Sequence, residues 1–330
     1  MIRTRRALVG LSALAMLTLA GCATPLPAPN PEPPPAVDPP VLSVAQTTSV
    51  LDSIGAALAA GDAALDPAQL GTRVVEPALS MRTAEYARAT ATNGERPPTA
   101  LPTDAQVEIL PQTTAWPRVG LVVTEQPDDL QAPRVLALLQ QTPRDQYALW
   151  GWARMFPGAS MPPTADPERG SPVLALDDAT LAMRPDEVIT AYADVLTQGD
   201  TSPSAAAFAA DPFREALAAA RQSLTTSVQE IGTVAETYTA GSTLTAIATA
   251  DDGAIVVGTM STTSTVTITV AGAKLTLSPY EAAVTGVKEA TQSMVRTYTE
   301  VLVFVVPAAG SGAQVQLIAA EQVPISVTAQ

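Results

Sequence analysis

The chain has 330 residues, of which 47% are apolar, and its 18 basic and 32 acidic side chains give a formal net charge of −14. A surface this acidic repels nucleic acid and anionic lipid headgroups, so the charge excludes both as direct partners. The sequence has no histidine and a single cysteine, Cys22, which excludes Ser-His-Asp and Cys-His catalysis, histidine-ligated metal sites and any intrachain disulfide.

The N-terminal segment has the features of a secretory signal peptide. Arg3, Arg5 and Arg6 precede an apolar run over 7–20. A helix of that length rises about 1.5 Å per residue and falls short of the roughly 30 Å of a bilayer core. The alternative is a core helix ending in a buried cysteine, but the run begins at the chain's first residues and leads into proline-rich sequence. We therefore predict a signal peptide over 1–21.

The end of this segment, Leu19-Ala20-Gly21-Cys22, resembles the lipobox of bacterial lipoproteins. The resemblance implies that the thiol of Cys22 carries a diacylglycerol thioether, and that cleavage just before it makes Cys22 the mature N-terminus. It also implies a protein anchored by lipid in the cell membrane and exposed on the extracytoplasmic face. The alanine-, proline- and threonine-rich chain further resembles uncharacterised lipoproteins of high-GC Gram-positive bacteria, which brings no activity with it.

The following residues, 22–41, form a proline-rich tether. Prolines are dense from Pro25 to Pro40, and such a segment is typically disordered, with extended polyproline-like geometry. At about 3.1 Å per residue it would hold the folded part roughly 50 Å from the membrane.

A first α+β domain is predicted over 42–160. An apolar stripe with helical spacing, Val50, Leu51, Ile54 and Leu58, predicts a helix that stops at Gly61-Asp62. A second helix is expected over 67–88. The next pattern predicts strands at 107–109 and 119–124. A hairpin is predicted from the segments 134–140 and 146–155, which flank a turn at 142–145.

A second α+β domain is predicted over 185–330, after a linker over 161–184. The helical stripe recurs without gaps as Val188, Ile189, Tyr192 and Leu196, again followed by a Gly-Asp pair, Gly199-Asp200. A second helix is expected over 211–228. The expected strands are 244–248, 255–260, 266–270, 274–277, 298–306 and 314–320.

The recurring order of helices before strands predicts a tandem duplication of two cone-like domains. Helices that precede a curled antiparallel sheet resemble the nuclear transport factor two-like superfamily of α+β cones. That resemblance implies a pocket at the open end of each cone, in a superfamily that contains enzymes, ligand binders and structural modules. Its enzymes often use an Asp-His pair, from which this histidine-free chain departs.

Trp150, Trp152 and Arg154 are the candidate ligand-binding residues, because two-residue alternation places them on one face of a strand. Two tryptophans and an arginine could stack on a sugar ring, or the tryptophans could simply form core beneath the helices. Tyr192 and Asp194 are candidate groups for carboxylate-based catalysis.

The segment Asp251-Asp252-Gly253 is typical of a turn between two strands. The loop lacks the further spaced acids that a calcium cage needs. We therefore expect neither a metal nor a cofactor.

These observations favour a non-catalytic binding or scaffolding module of the cell envelope, with an envelope protein or a small ligand as partner. Two alternatives remain open at this point. One is a small-ligand carrier that uses the cone pockets, and the other is a histidine-free, carboxylate-dependent hydrolase or isomerase.

Overall fold

The chain enters its first helix through a capping box formed by Ser43 and Gln46. In the computed structural model, which describes residues 38–126 and 132–330, the Gln46 N–H donates to Ser43 Oγ at 3.2 Å and the Ser43 N–H donates to Gln46 Oε1 at 2.8 Å. These bonds satisfy two groups that the first turn of a helix leaves without intrahelical partners. The helix therefore starts at Val44, ahead of the apolar stripe that predicted it.

The described part of the chain contains five α-helices and twelve strands. The helices are α1 (Val44–Ala64), α2 (Ala78–Ala91), α3 (Pro185–Gln198), α4 (Pro212–Val228) and α5 (Pro279–Thr285). The strands of the first half are β1 (Ala105–Ile109), β2 (Pro111–Gln112), β3 (Arg118–Thr124), β4 (Arg134–Gln140), β5 (Ala148–Met155) and β6 (Ser171–Pro172). Those of the second half are β7 (Gly232–Ala248), β8 (Ala254–Ile268), β9 (Leu275–Thr276), β10 (Glu289–Ala290), β11 (Ser293–Val306) and β12 (Gln316–Ala329).

Eight strands form one antiparallel sheet in the order β1-β3-β4-β5-β12-β11-β8-β7. The four strands of the first half occupy one side of the sheet, and those of the second half occupy the other. They join where Met155 and Arg154 of β5 pair with Ala319 and Ala320 of β12. The predicted α+β class, with a large antiparallel sheet, is therefore confirmed.

The sheet folds back on itself so that its two halves pack face to face. Val301 and Val303 of β11 lie in one hydrophobic cluster with α1 and β3–β5, whereas Leu302 and Phe304 lie in another with α3. Because side chains alternate along a strand, the second half has α3 on one face and the first half on the other. A Cβ built on Gly151 of β5 would lie 3.1 Å from a methyl carbon of Val301, which shows how closely the halves approach.

The space beneath α3 is filled by aromatic side chains. The ring of Tyr192 meets the rings of Phe208 and Phe304 edge to face, with centroids 5.4 and 5.2 Å away. All three residues are buried, and such edge-to-face contacts add to the stabilisation that burial alone gives. The interior of the second half is therefore filled between α3 and the sheet.

The predicted helix stop at Gly61-Asp62 is wrong, because α1 continues to Ala64. Gly61 has a packing role instead: a Cβ there would lie 2.5 Å from the Tyr86 hydroxyl and 2.8 Å from a Leu70 methyl group. The single helix predicted over 67–88 is also wrong. It divides into a 3-10 turn, Pro67–Leu70, and α2, because the backbone between them pairs with β5 at Leu149.

In the second half, the predicted α3 stop at Gly199 is confirmed, and that glycine has a positive φ of 60°. The strands predicted separately over 255–260 and 266–270 form one strand, β8, since its threonines continue the two-residue alternation. Strand β7 begins well before the predicted 244–248. Helix α5 was not predicted, although Ser278 and Glu281 form a capping box at its start.

Some predictions fall on residues outside the described ranges. These are the signal peptide, the motif Leu19-Ala20-Gly21, the lipidated Cys22 and the tether up to residue 37. Within the described ranges, no helix combines the length and apolar character needed to cross a bilayer.

Candidate functional site

The candidate site residues Trp150, Trp152 and Arg154 all lie on β5, but their side chains reach different surroundings. Trp152 is completely buried against α2, and the guanidinium of Arg82 lies 6.0 Å from its ring centroid. Trp150 is 7% exposed and lines a cleft beside the β4–β5 hairpin. Arg154 is exposed and lines a separate cavity next to α4. The structure therefore does not join the three residues into one binding surface.

A β-bulge places Trp150 in its cleft. Ala137 of β4 pairs with Gly151 and the next residue, Leu138, pairs with Leu149. Trp150 is thus the extra residue of β5, with no opposite partner on β4. Bulges re-aim a side chain relative to the regular alternation and are frequent next to functional sites.

The second wall of the cleft is a short backbone segment that adds to β5. The Leu149 N–H donates to the Arg73 carbonyl at 2.8 Å, and the Val75 N–H donates to the Leu149 carbonyl at 3.0 Å. The Arg73 guanidinium also donates to the carbonyl of Tyr147 at 3.1 Å. These three bonds fix the segment that leads into α2, and with it the distance between the two walls.

We refer to the space between these walls as the Trp150 cleft. It has a volume of about 880 Å³, within the range of small-molecule sites. Its floor and sides are apolar, and its rim is polar. The apolar lining consists of Val74, Val75, Leu79, Leu139, Ala148 and Trp150, and the polar rim of Thr72, Glu76, Gln141, Arg144, Asp145 and Gln146. An apolar lining with a few polar groups at the rim is the usual composition of a small-molecule site.

The hairpin tip at the rim is ordered by its own hydrogen bonds. The Thr142 hydroxyl donates to Asp145 Oδ2 at 2.7 Å, and Gln140 Nε2 donates to the Asp145 carbonyl at 2.9 Å. Gln140 Oε1 in turn accepts from the indole N–H of Trp116 at 3.1 Å. The rim residues Arg144 and Asp145 therefore extend from a braced turn.

The α2 side of the cleft is held by a buried ionic network that the sequence analysis did not identify. Arg82 Nε donates to Asp62 Oδ1 of α1 at 3.0 Å, and Arg82 Nη1 donates to Glu85 Oε2 at 2.8 Å and to the Thr99 carbonyl at 2.6 Å. The Tyr86 hydroxyl donates to the same Asp62 oxygen at 2.7 Å. The network ties α2 to α1 and to the loop that follows α2.

The charges in this network compensate for their burial. Arg82 and Glu85 are each 1% exposed. Burial acts to lower the pKa of Arg82, but the nearby charges of Glu85 and Asp62 outweigh it and raise that pKa. Opposite charges three residues apart are equally typical of an exposed helix face, so the spacing in the sequence carries no sign of burial.

The two residues considered for carboxylate catalysis, Tyr192 and Asp194, point to different environments. The Tyr192 hydroxyl donates to Asp211 Oδ1 at 2.9 Å beneath α3. Burial, followed by the charge of Asp211, raises the pKa of Tyr192. Asp194 instead accepts hydrogen bonds from Gln198 and Ser202 on the outer side of α3. The structure does not bring these two side chains together.

The Asp251-Asp252-Gly253 segment is the turn between β7 and β8, as predicted. Asp252 has a positive φ of 62°, and Asp251 accepts a hydrogen bond from the Thr249 hydroxyl. Across residues 38–126 and 132–330, no three acidic or cysteine side chains converge into a metal-binding group.

Residues 38–325 match the model of a protein family described as Domain of unknown function (DUF8094). The matched region includes every helix of the described fold and all eight strands of the main sheet, with β12 matched in part. No curated protein and no solved structure matches the chain.

Proposed function

The chain belongs to the family described as Domain of unknown function (DUF8094), and we propose that this member is a lipid-anchored binding module on the extracytoplasmic face of the cell membrane. The signal-like segment over 1–21 and the motif ending at Cys22 support the anchor. The Trp150 cleft supports the binding role. In this proposal the module captures an apolar or amphiphilic small molecule of the cell envelope.

The single observation that carries the binding role is the contrast between the floor and the rim of the cleft. Leu79 of α2 and Trp150 present apolar surface, whereas Arg144 and Asp145 stand at the mouth. An apolar body lowers its free energy when it leaves water for such a floor. The charged residues at the mouth keep the rim of the cleft hydrated. The polar groups lie on the solvent side, which is suited to orienting a ligand and not to proton transfer within a closed site.

We also propose that the two halves arose by tandem duplication. Each half begins with helices and continues with four strands of one antiparallel sheet. Within the main sheet, the last strand of each half, β5 or β12, lies at the centre, and the order of strands runs outward from there in both directions. This order supports a duplication of two cone-like units, in which the cleft belongs to the first unit.

An uncharged fluorescent probe tests the binding role directly. N-phenyl-1-naphthylamine should bind the wild-type protein and gain fluorescence, since its aromatic body suits the apolar floor. Leu79→Arg places a charge in that floor and should weaken binding at least tenfold. Val284→Arg on α5, at an apolar residue that is 43% exposed, is the matched control and should bind as the wild type does. Equal binding by the Leu79→Arg protein, with its fold confirmed by circular dichroism, would overturn the proposal.

A further inference from the structure

The main sheet ends in two edge strands, β1 and β7, which differ in their protection against pairing with another strand. An edge strand presents a row of unpaired N–H and C=O groups, and proteins usually blunt it with a short length, a bulge, a proline or a charge. Strand β1 is five residues long, and its register with β3 shifts between Ala105 and Val107. It also contains Glu108, and Pro111 follows it closely. The β1 edge is therefore protected.

Strand β7 instead has a long edge over residues 232–240, which span about 30 Å. This stretch pairs with β8 without a register shift, and within the described ranges no other backbone segment hydrogen-bonds to it. Another segment reaches this edge only farther along β7, where the Leu174 N–H donates to the Ala246 carbonyl at 2.9 Å. The stretch contains no proline, and its one charged residue is Glu236. Its outer backbone groups are therefore open to a further strand.

The side chains of this stretch favour strand pairing and leave the edge accessible. Successive side chains of a strand point to opposite faces of the sheet. The exposed side chains on one face are Thr233, Ala235, Thr237 and Thr239. On the other face Tyr238 is buried, and its hydroxyl donates to Glu236 Oε2 at 2.6 Å. Threonine and tyrosine are enriched in strands, and the one acid of the stretch is held by its own strand.

The contrast between the two edges indicates which strand β7 fits. If β7 of one chain met β1 of another, the contact would be head to tail and would repeat without closing, but β1 is protected. If β7 meets β7 of a second copy, one two-fold axis relates the two strands. The strands are then antiparallel, and the association closes as a dimer. A second copy of this chain is therefore the partner that suits this edge.

The side chains of β7 also favour one register. Residues directly opposite in an antiparallel pair lie on the same face of the sheet. A two-fold axis at Glu236 would place that carboxylate opposite its own copy, and like charges in this position are destabilising. An axis at Thr237 places Thr237 opposite Thr237 and Glu236 opposite Tyr238, so that hydroxyls meet across the axis and the acid faces a phenol. The same register places Ala235 opposite Thr239.

An axis one step the other way is less favourable. At Ala235 it would set Glu236 opposite the apolar side chain of Val234. It would also set Tyr238 opposite Gly232, which has no side chain to pair with it. The axis at Thr237 avoids both mismatches and still pairs residues 234–240.

We propose that two copies of this chain associate through their β7 strands, antiparallel about a two-fold axis at Thr237, so that their main sheets become one continuous sheet. An edge-to-edge contact of this length buries less surface than the roughly 1,600 Å² of a standard interface, so the dimer is weak and reversible. The contact lies at the opposite edge of the sheet from β1 and does not involve the Trp150 cleft. It does not depend on the binding role proposed for that cleft.

Cysteine cross-linking tests both the partner and the register. In a Thr237→Cys protein the two introduced thiols face each other across the axis, close enough for a disulfide. Mild oxidation should therefore give a covalent dimer on a non-reducing gel. In a Thr239→Cys protein the two thiols are roughly 13 Å apart along the strands, and cross-linking should be at least tenfold slower. An Ala235→Cys protein should also fail to cross-link alone but should cross-link when mixed with the Thr239→Cys protein.

The controls measure cross-linking by chance encounter. Thr226→Cys lies on the exposed side of α4, and the unsubstituted chain reports any cross-linking through Cys22. Equal rates for the Thr237→Cys and Thr226→Cys proteins would overturn the proposal. Faster cross-linking of Ala235→Cys or Thr239→Cys alone would overturn the register at Thr237.

Sedimentation equilibrium tests the dimer without a covalent bond. The wild-type protein should shift reversibly from monomer to dimer as its concentration rises. Thr237→Lys brings two ammonium groups together across the axis and should weaken the dimer at least tenfold, whereas Thr226→Lys on α4 adds the same charge and should associate as the wild type does. A wild type that stays monomeric at every concentration, or a Thr237→Lys protein that dimerises equally well, would contradict the proposal.

Discussion

The hydroxyl of Tyr192 donates to Asp211 Oδ1 at 2.9 Å, a contact that joins the buried face of α3 to the start of α4. The same Asp211 oxygen accepts from the Arg214 N–H at 2.8 Å and so caps α4. Burial raises the pKa of Asp211, and the hydrogen bonds from Arg214 and Tyr192 only partly offset that rise. One carboxylate therefore both starts a helix and holds it against its neighbour.

Replacing Tyr192 or Asp211 should lower the free energy of unfolding, and the loss should be larger for Asp211. Tyr192→Phe leaves a buried carboxylate with one donor fewer and should lower the free energy of unfolding by about 1–2 kcal/mol. Asp211→Ala also removes the cap and should cost about 2–3 kcal/mol. Urea unfolding followed by circular dichroism measures both. A Tyr192→Phe protein as stable as the wild type would contradict the assignment.

The stability of the protein should depend on pH through Glu300. Its pKa is raised from 4.5 to about 7 in the folded chain because of burial. The folded state therefore holds a proton that the unfolded state has already lost between those pH values, so this group's contribution falls as pH rises through that window. Above pH 7 the ionised, buried Glu300 lowers the free energy of unfolding by its full amount, up to about 3 kcal/mol.

Comparing the wild type with the Glu300→Gln protein isolates this contribution. The difference in the free energy of unfolding between the two should grow in favour of the variant from about pH 4.5 to 7 and then level off. Glu289→Gln, at an exposed residue, should show no such growth. A constant difference across the range would mean that Glu300 keeps its ordinary pKa in the folded protein.

How far the sequence predicts this fold is clearest in the two glycines that follow the helical stripes. Gly61 and Gly199 occupy equivalent places in the sequence pattern, yet Gly199 ends α3 and Gly61 lies inside α1. The difference comes from Tyr86 and Leu70, which pack onto Gly61 from elsewhere in the chain. A local sequence pattern predicts a helix, but it does not show which side chains from distant parts of the sequence pack against that helix.

The Trp150 cleft and the buried Glu300 show the same limit. Trp150 could be identified from the sequence as an unusual aromatic residue, but its position depends on a bulge that two-residue alternation does not predict. Glu300 directly precedes the apolar run of β11 and follows a largely polar stretch, and an acid at such a position is ordinarily exposed. Its burial depends on neighbours that are distant in the sequence, among them Gln322 of β12, which donates to it.

Gly61→Ala should destabilise the protein, although alanine is the better helix former. At an ordinary helix position the change would stabilise by about 1 kcal/mol, but here the new methyl group would meet the Tyr86 hydroxyl and a Leu70 methyl group. We expect a net loss of roughly 1–3 kcal/mol in the free energy of unfolding. Ala60→Gly at the exposed neighbouring position measures the propensity effect alone, and a stabilised Gly61→Ala protein would show that the contact yields at little cost.

The proposed membrane anchor depends on the thiol of Cys22 and can be tested in living cells. Two or more acyl chains bury enough methylene groups for stable anchoring, at about 0.8 kcal/mol each, whereas a single chain holds a protein only weakly. Cells fed an alkyne fatty acid should therefore label the wild-type chain and retain it in the membrane fraction. The Cys22→Ser protein should carry no label and should keep its signal peptide, because serine offers no thiol to the lipid-transferring enzyme.

A second variant distinguishes loss of lipid from failure of export. Replacing Arg3, Arg5 and Arg6 with glutamine removes the positive charge ahead of the apolar run and should leave the whole precursor unlabelled inside the cell, since export precedes lipid transfer. The Cys22→Ser protein should instead reach the membrane through its uncleaved apolar segment. A wild-type chain that stays unlabelled in the cytosol with residues 1–21 intact would refute the anchor, while the binding role of the Trp150 cleft would still be open to test with the purified protein.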